Sequence, residues 1–220
     1  MTQMTQIPDQ LRAELAAEYR PVRPLASPVA RMLWLLPLAA LAVAAAPTVF
    51  NVRADAARLG WLGWGASGLQ VLIGLALVVA ALQESVPGRG WKGRDAALWI
   101  VTPLAVVLFV TLNTWAASPG LVRGGWWFVG LLCLGGSLAA GLPIVALASV
   151  LAARAYPTRP ALAGALLGLG AGLIADAGWR LFCDFSEPAH VLSAHVGAVL
   201  SLMLLGSLLA PIICPARRRS

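Results

Sequence analysis

Residues 126–153 read WWFVGLLCLGGSLAAGLPIVALASVLAA, a continuous apolar run without a charged side chain. About 20 such residues cross the hydrocarbon core of a bilayer, which is about 30 Å thick. Five further runs of this kind lie at Met32–Phe50, Leu62–Leu82, Ala96–Trp115, Leu162–Trp179 and Val191–Ile213. The whole chain of 220 residues is 60% hydrophobic and 11% charged, against roughly 45–50% and about 25% in soluble domains. We therefore predict an all-α integral membrane protein.

The predicted architecture is a bundle of six transmembrane helices with a short cytoplasmic amino-terminal helix. Transmembrane β-strands are excluded because they are about 10 residues long and alternate in polarity, whereas these runs are continuously apolar. Nearly all the charged residues lie between the runs or at the termini. We divide the chain into a cytoplasmic amphipathic segment at 1–30, a six-helix transmembrane domain at 31–216 and a basic cytoplasmic tail at 217–220.

The Lys and Arg residues determine the predicted orientation. With a cytoplasmic amino terminus, the inner side carries twelve of them: Arg12, Arg20, Arg23, Arg31, Arg89, Lys92, Arg94, Arg154, Arg159, Arg217, Arg218 and Arg219. The outer side carries four: Arg53, Arg58, Arg123 and Arg180. Because cytoplasmic loops are enriched in Lys and Arg, we predict a multi-pass inner-membrane protein with both termini in the cytoplasm. The net charge of +7 then reflects contact with the lipid bilayer, and we expect no direct binding of nucleic acid.

The amino-terminal segment carries apolar residues at every fourth position: Ile7, Leu11, Leu15 and Tyr19. This spacing predicts a helix that begins near Pro8 or Asp9 and carries a narrow apolar stripe. The helix should end by Arg20, because Pro21 disfavours helical geometry in the residue before it. A helix of about 12 residues is marginal alone in water, so the stripe needs a surface to pack on. The pattern leaves two candidates open, namely the membrane with its cytoplasmic loops, or a groove on a soluble protein.

Glycines in the fifth predicted span are spaced for close helix packing. Gly164, Gly168 and Gly172 lie at i, i+4 and i+8, on one side of a helix. Small residues with this spacing allow two transmembrane helices to approach closely. We predict that they contact a neighbouring span.

Few polar groups lie within the predicted spans. None of the spans contains paired carboxylates, a His-x-x-x-His spacing or a glycine-rich phosphate loop, so we expect no enzymatic activity. Asp176 is the one acid within a span, and an ionisable group there is a candidate for function. Arg180 lies one turn later, at i+4, where we expect it to pair with Asp176. The competing hypothesis is a small-solute transporter or channel-like protein, in which Asp176, Arg180 and His195 would line a path.

The three cysteines fall on both predicted sides of the membrane. Cys133 lies about two turns into the fourth span from its outer end, and Cys183 lies in the outer loop after the fifth span. Cys214 lies at the inner end of the sixth span, so the membrane separates it from the other two. Only Cys133 and Cys183 can therefore pair, on the oxidising side where a disulfide persists.

The outer loop also carries a candidate metal site. It reads CDFSEPAH from Cys183 to His190, with His195 just inside the next helix. The thiol of Cys183, the carboxylate of Asp184 and the imidazole of His190 could bind a soft metal such as zinc, cadmium or copper. The spacing matches no standard metal motif, and Asp184 is also an ordinary loop residue. We expect no resident cofactor, with transient heavy-metal binding left open.

Two stretches of the chain resemble the NrsF-type membrane anti-sigma factors. The first is LRAELAAEYRPVRPL at 11–25, followed by Arg31 at the start of the first span. The second begins at Cys133, continues through YPTRPALAG at 156–164 and ends after the fifth span at Cys183. Members of this family are six-span proteins of about this length. The resemblance therefore covers nearly the whole chain.

The resemblance implies a negative regulator in the bacterial inner membrane that holds an extracytoplasmic-function sigma factor until metal or oxidative stress is sensed. It makes Cys133 and Cys183 the candidate sensor thiols, and it gives no counterpart for Cys214. It also makes the apolar stripe the candidate sigma-binding surface, formed by Ile7, Leu11, Leu15 and Tyr19. The chain departs from the family pattern at Asp184, which replaces a proline, and at His195, where the family tends to have Trp-Tyr. The oligomeric state is left open.

Overall fold

The structure is a computed structural model that describes residues 8–18, 24–117 and 126–214. Within these ranges the chain forms helices and connections, with no strand. The helices are α1 (Asp9–Glu18), α2 (Pro28–Leu33), α3 (Leu36–Phe50), α4 (Ala56–Leu59), α5 (Trp64–Glu84), α6 (Gly93–Ala117), α7 (Trp126–Ala153), α8 (Pro160–Phe182), α9 (Pro188–His190) and α10 (Gly197–Ile213). A 3₁₀ turn, Gly60–Leu62, precedes α5, and a π-helical turn, Val191–Val196, joins α9 to α10. The prediction of an all-α fold is confirmed for these ranges.

Five helical segments of the described chain are long and apolar enough to cross a membrane. They are Gly60–Glu84, Gly93–Ala117, Trp127–Ala153, Pro160–Phe182 and Pro188–Ile213. The first predicted span, Met32–Phe50, contains a shorter apolar helix, α3, of 15 residues. At a rise of 1.5 Å per residue, α3 is about 22 Å long, less than the thickness of the hydrocarbon core.

The break before α3 has a local cause. Pro37 has no N–H to donate to the carbonyl of Leu33, four residues earlier. Helix α2 accordingly ends at Leu33, and Pro37 lies in the first turn of α3, where the missing N–H has no helical partner to lose. The predicted first span is therefore two helices in sequence.

Helix α8 is the central helix of the bundle. Most of its side chains are buried, and α3, α5, α7 and α10 pack around it. A methyl group added at Gly168 would lie 2.1 Å from the carbonyl oxygen of Leu202 on α10, so only glycine permits this approach. The same methyl group would lie 2.1 Å from the carbonyl oxygen of Gly206 if added at Gly164, and 2.9 Å from Cα of Val199 if added at Gly172. The predicted close-contact face is confirmed, and the neighbouring helix is α10.

The long helices run between two opposite ends of the bundle. Arg31, on α2, donates hydrogen bonds to backbone carbonyls in the last turns of α5 and α7. At the opposite end Phe50, the last residue of α3, packs against Trp179 on α8, with ring centroids 5.8 Å apart. Successive long helices therefore alternate in direction. We call the two ends the Glu84 end and the Cys183 end, after residues at the termini of α5 and α8.

Helix α1 begins at Asp9, as predicted, and extends to Glu18. Its described side chains are all exposed, and Leu11, at the middle of the predicted stripe, is 46% exposed. The side chain of Leu15 is outside what the structure describes. So are other predicted features, namely Ile7, Tyr19 and the basic tail at 217–220.

Candidate functional site

Four buried side chains meet at the Cys183 end of the bundle, and we call them the thiol–imidazole cluster. They are Cys133 on α7, Cys183 directly after α8, His190 at the end of α9 and His195 in the π-helical turn. Their ligand atoms all lie within 4.8 Å of one another, and each residue is at most 3% exposed. Both cysteines are free thiols. The cluster thus unites groups from three separate segments of the chain.

The ends of α7 and α8 position the two thiols. Cys183 donates its backbone N–H to the carbonyl of Trp179 at 2.9 Å, which completes the last turn of α8, and then takes an extended conformation. The indole of Trp179 fits against α7 at Gly136, where a methyl group would lie only 1.8 Å from the ring. Cys133, one helical turn away on α7, belongs to the same buried apolar cluster as Trp179 and Cys183. This close packing holds the two thiols together.

The π-helical turn brings the two imidazoles together. His190 and His195 are five residues apart, a spacing that places them on different sides of a regular α-helix. The backbone at Val191–Val196 is π-helical instead, and its wider i→i+5 turns return the fifth residue to nearly the same side. The ring centroids are consequently 5.4 Å apart, in an edge-to-face arrangement.

Asp176 anchors the cluster from within α8. Its side chain is fully buried, and its Oδ1 accepts a hydrogen bond from Nδ1 of His195 at 2.7 Å. Its Oδ2 accepts from Nε of Arg180 at 2.8 Å and from Nε2 of Gln70 at 2.7 Å. Arg180 also donates to the hydroxyl of Thr111 at 3.1 Å. The predicted pairing of Asp176 with Arg180 is confirmed, and the structure adds the contacts with His195 and Gln70.

Cys183 is the thiol with the most polar surroundings. Its Sγ lies 3.2 Å from Nε2 of His190. The hydrogen bond from Cys133 holds the pKa of Cys183 below its ordinary value, and hydrogen bonds from His190 and His195 act in the same direction against the effect of burial. The thiolate is the form that attacks disulfides and binds metals. Of the two thiols, Cys183 is therefore the one whose thiolate form is favoured.

A small cavity adjoins the cluster. Its volume is about 20 Å³, and its lining includes Arg53, Arg180, Cys183, Ser186 and His195. A cavity needs roughly 10–15 Å³ to hold a water molecule, so this one accommodates a water or a single ion.

The predicted site residues fall into separate groups. Cys133, Cys183 and His190 are brought together, whereas Asp184 is exposed and lies outside the four clustered ligand atoms. Cys214 ends α10 at the opposite end of the bundle. His195 is not among the predicted ligands, because its approach to the thiols depends on a π-helical turn that α-helical periodicity does not indicate. The sequence signal that was available is the position of His195, which lies in a predicted span five residues after His190.

The fold and this site define a multi-span helical membrane protein with a thiol-containing cluster at one end. The family model for NrsF, negative regulator of sigma F, matches residues 15–214, and the chain belongs to this family. Membership implies negative regulation of a sigma factor, and therefore a sigma factor as partner. The comparisons with curated proteins and with solved structures gave no match.

Proposed function

We propose that the protein sequesters an extracytoplasmic-function sigma factor at the bacterial inner membrane and releases it under metal or oxidative stress. The observation that carries this proposal is the match of residues 15–214 to a family of negative regulators of a sigma factor. The protein acts through binding and conformational change and catalyses no reaction. The amino-terminal helix holds the partner, and Cys133 and Cys183 receive the signal.

The proposed topology has six crossings with both termini in the cytoplasm. The alternating direction of the long helices supports it, because α3 runs from the Glu84 end to the Cys183 end even though it has 15 residues. With α2, the first crossing extends over Pro28–Phe50. The bias of Lys and Arg residues assigns the Glu84 end to the cytoplasm. The thiol–imidazole cluster then faces the oxidising side, where disulfides persist.

The proposed docking element is helix α1. Its described side chains are exposed, so the helix does not bury Leu11 against the bundle. An isolated helix of this length is marginal in water, and an apolar groove on a sigma factor would cover the stripe and stabilise it. The stripe consists of Ile7, Leu11, Leu15 and Tyr19.

The proposed signal is a change of bonding at the two thiols. Cys133 and Cys183 can lose two protons and two electrons to an oxidant such as a peroxide, which is reduced to water or an alcohol, and form a disulfide. Alternatively they bind a soft metal ion as thiolates. Either change alters how α7 packs against the end of α8, and α8 contacts α3, α5 and α10. A shift from mostly bound to mostly free partner needs about 5.5 kcal/mol of preference for one state.

Co-purification from cell membranes tests the docking element. We expect Leu11→Asp to abolish recovery of the sigma factor, because a carboxylate in an apolar groove is strongly unfavourable. Gln10→Asp is the matched control, since it makes the same charge change at the neighbouring exposed position off the stripe. Equal recovery with both variants would exclude α1 as the docking element. Failure of the unaltered protein to recover any sigma factor would overturn the proposed function.

Stress-induced release tests the sensor. We expect the double variant Cys133→Ser, Cys183→Ser to retain the sigma factor after treatment with an oxidant or cadmium, as measured by co-purification before and after treatment. Cys214→Ser, at the opposite end of the bundle, should release normally. Normal release from the double variant would contradict the sensing role while leaving sequestration intact.

A further inference from the structure

The thiol–imidazole cluster has the donor set of a tetrahedral metal site. Zinc and related divalent ions bind two sulfur and two nitrogen ligands with four-coordinate geometry. Bonds of about 2.3 Å to sulfur and about 2.0 Å to nitrogen place the ligand atoms roughly 3.3–3.8 Å apart. Here the four ligand atoms lie within 4.8 Å of one another, and Sγ of Cys183 is already 3.2 Å from Nε2 of His190. Side-chain adjustments of about 1 Å would complete the geometry.

We propose that the thiol–imidazole cluster binds one divalent ion of the zinc class and that Asp176 holds His195 in the ligating orientation. Asp176 can only accept hydrogen bonds, so Nδ1 of His195 carries the proton and Nε2 is left to the cluster. Metal-binding histidines characteristically donate their second ring nitrogen to a carboxylate in this way. Arg180 and Gln70 fix the carboxylate in turn. This arrangement includes His195 and omits Asp184.

The charges of the proposed site balance without solvent. Two thiolates and one divalent cation sum to zero, and the neighbouring pair of Asp176 and Arg180 is also neutral. A buried centre with no net charge avoids most of the cost of taking ions out of water. A disulfide bonds only the two thiols, whereas a tetrahedral ion is bonded by both thiols and both imidazoles. The complete set of four is therefore better suited to a metal ion.

The surroundings are suited to a bound ion. The cluster joins α7, the end of α8 and the π-helical turn, so a metal would link three segments. The cavity of about 20 Å³ that touches Cys183 and His195 provides room for an ion to approach. Residues on rigid, closely packed elements hold ligands more accurately than residues on loops.

A regulatory consequence rests on the proposed function. Thiolates bonded to a metal cannot form a disulfide with each other, so metal binding and oxidation at Cys133 and Cys183 are mutually exclusive. Binding of the ion and formation of the disulfide would then be alternative signals at one site, and either would favour release of the sigma factor. The metal site itself requires no sigma factor and can be tested alone.

The test uses the full-length protein in detergent micelles, with thiols reduced and oxygen excluded. Titration with Co²⁺ is expected to give one bound ion per chain, with the visible absorption of tetrahedral thiolate-bound cobalt, and Zn²⁺ should displace it. His195→Phe should weaken binding by more than about 10-fold. His195→Cys should restore binding with stronger sulfur-to-cobalt charge transfer. Cys214→Ser, remote from the cluster, should bind like the unaltered protein.

Three results would overturn the metal site. They are an unaltered protein without saturable Co²⁺ or Zn²⁺ binding, unchanged affinity in His195→Phe, or a His195→Cys spectrum without additional sulfur ligation. The rescue by cysteine separates loss of a ligand from loss of the fold. Recovery of a sigma factor by a protein that binds no metal would reject the site alone. Metal binding without recovery of a sigma factor would reject the proposed function alone.

Discussion

Glu84 and Asp176 are both fully buried carboxylates paired with arginine, one at each end of the bundle, but their other partners differ. Glu84 accepts two hydrogen bonds from Arg159, at 2.7 and 3.0 Å, and one from the backbone N–H of Trp91 at 2.6 Å. Asp176 shares its oxygens with a histidine of the thiol–imidazole cluster.

The difference indicates that Glu84 has a structural role, whereas Asp176 can respond to a change of bonding at the thiols. Glu84, at the end of α5, contacts Arg159, directly before α8, and the loop that contains Trp91. Neither of these partners is a thiol or an imidazole. Asp176 contacts the one side chain, His195, that links it to two thiols. A change of bonding at the thiols therefore reaches Asp176, within α8, through one hydrogen bond.

The largest expected effect is on stability, and it should differ between the two ends. Asp176→Ala leaves Arg180 and His195 buried without their acceptor, so we expect a loss of about 3–5 kcal/mol in the free energy of unfolding. Glu84→Ala should cost about 1–3 kcal/mol, because Arg159 is 43% exposed and can be hydrated. Unfolding in mixed micelles measures both. Equal losses would mean that the two carboxylates contribute equally to the free energy of unfolding.

A smaller and more selective effect is expected on metal affinity. Asp176→Asn keeps the shape of the side chain but weakens its hold on His195, so Co²⁺ binding should weaken by roughly 10–100-fold. Glu84→Gln is the matched control, and its affinity should be unchanged because Glu84 lies at the opposite end. Comparable Co²⁺ affinities in the two variants would show that Asp176 has no specific role in metal binding.

The smallest effect should come from exchanging the arginines. Arg180→Lys loses the simultaneous contacts with Asp176 and Thr111, and we expect about 1–2 kcal/mol of destabilisation. Arg159→Lys should cost at most about 1 kcal/mol, since its pair is partly solvated. The same unfolding assay orders the two variants. The reverse order would indicate that the Arg159–Glu84 pair contributes more to stability than the Arg180–Asp176 pair.

The sequence predicts the helical class and most spans well, because long apolar runs have few alternatives in lipid. It also predicts the packing of Gly168 on a neighbour and the pairing of Asp176 with Arg180, since both depend on i, i+4 spacing within one helix. The break before α3 is not part of the predicted span, and Pro37 is the residue in the sequence that indicates a kink there. The first span was drawn from hydrophobicity, which is insensitive to a missing backbone N–H.

The candidate site was predictable only in part. The predicted topology places Cys133 and Cys183 on one side of the membrane. His190 lies close to Cys183 in the sequence, in the same loop. The approach of His195 depends on tertiary structure, through Asp176 on another helix and a backbone turn with non-standard hydrogen bonding. Asp184 was included because it adjoins Cys183, and neighbours in an extended segment point in different directions.

The π-helical turn also sets the phase of the last helix. From His195 onward, residues such as Val199 and Leu202 fall on one face, and that face meets the glycines of α8. In an uninterrupted α-helix, His190 would be rotated about 140° away from His195. The turn compensates for this rotation, so one helix presents both imidazoles and its packing face to the interior. Deleting a single residue between the histidines would leave them four apart, a spacing that a regular α-helix places on one side, so the two imidazoles would stay together without a π-helical turn.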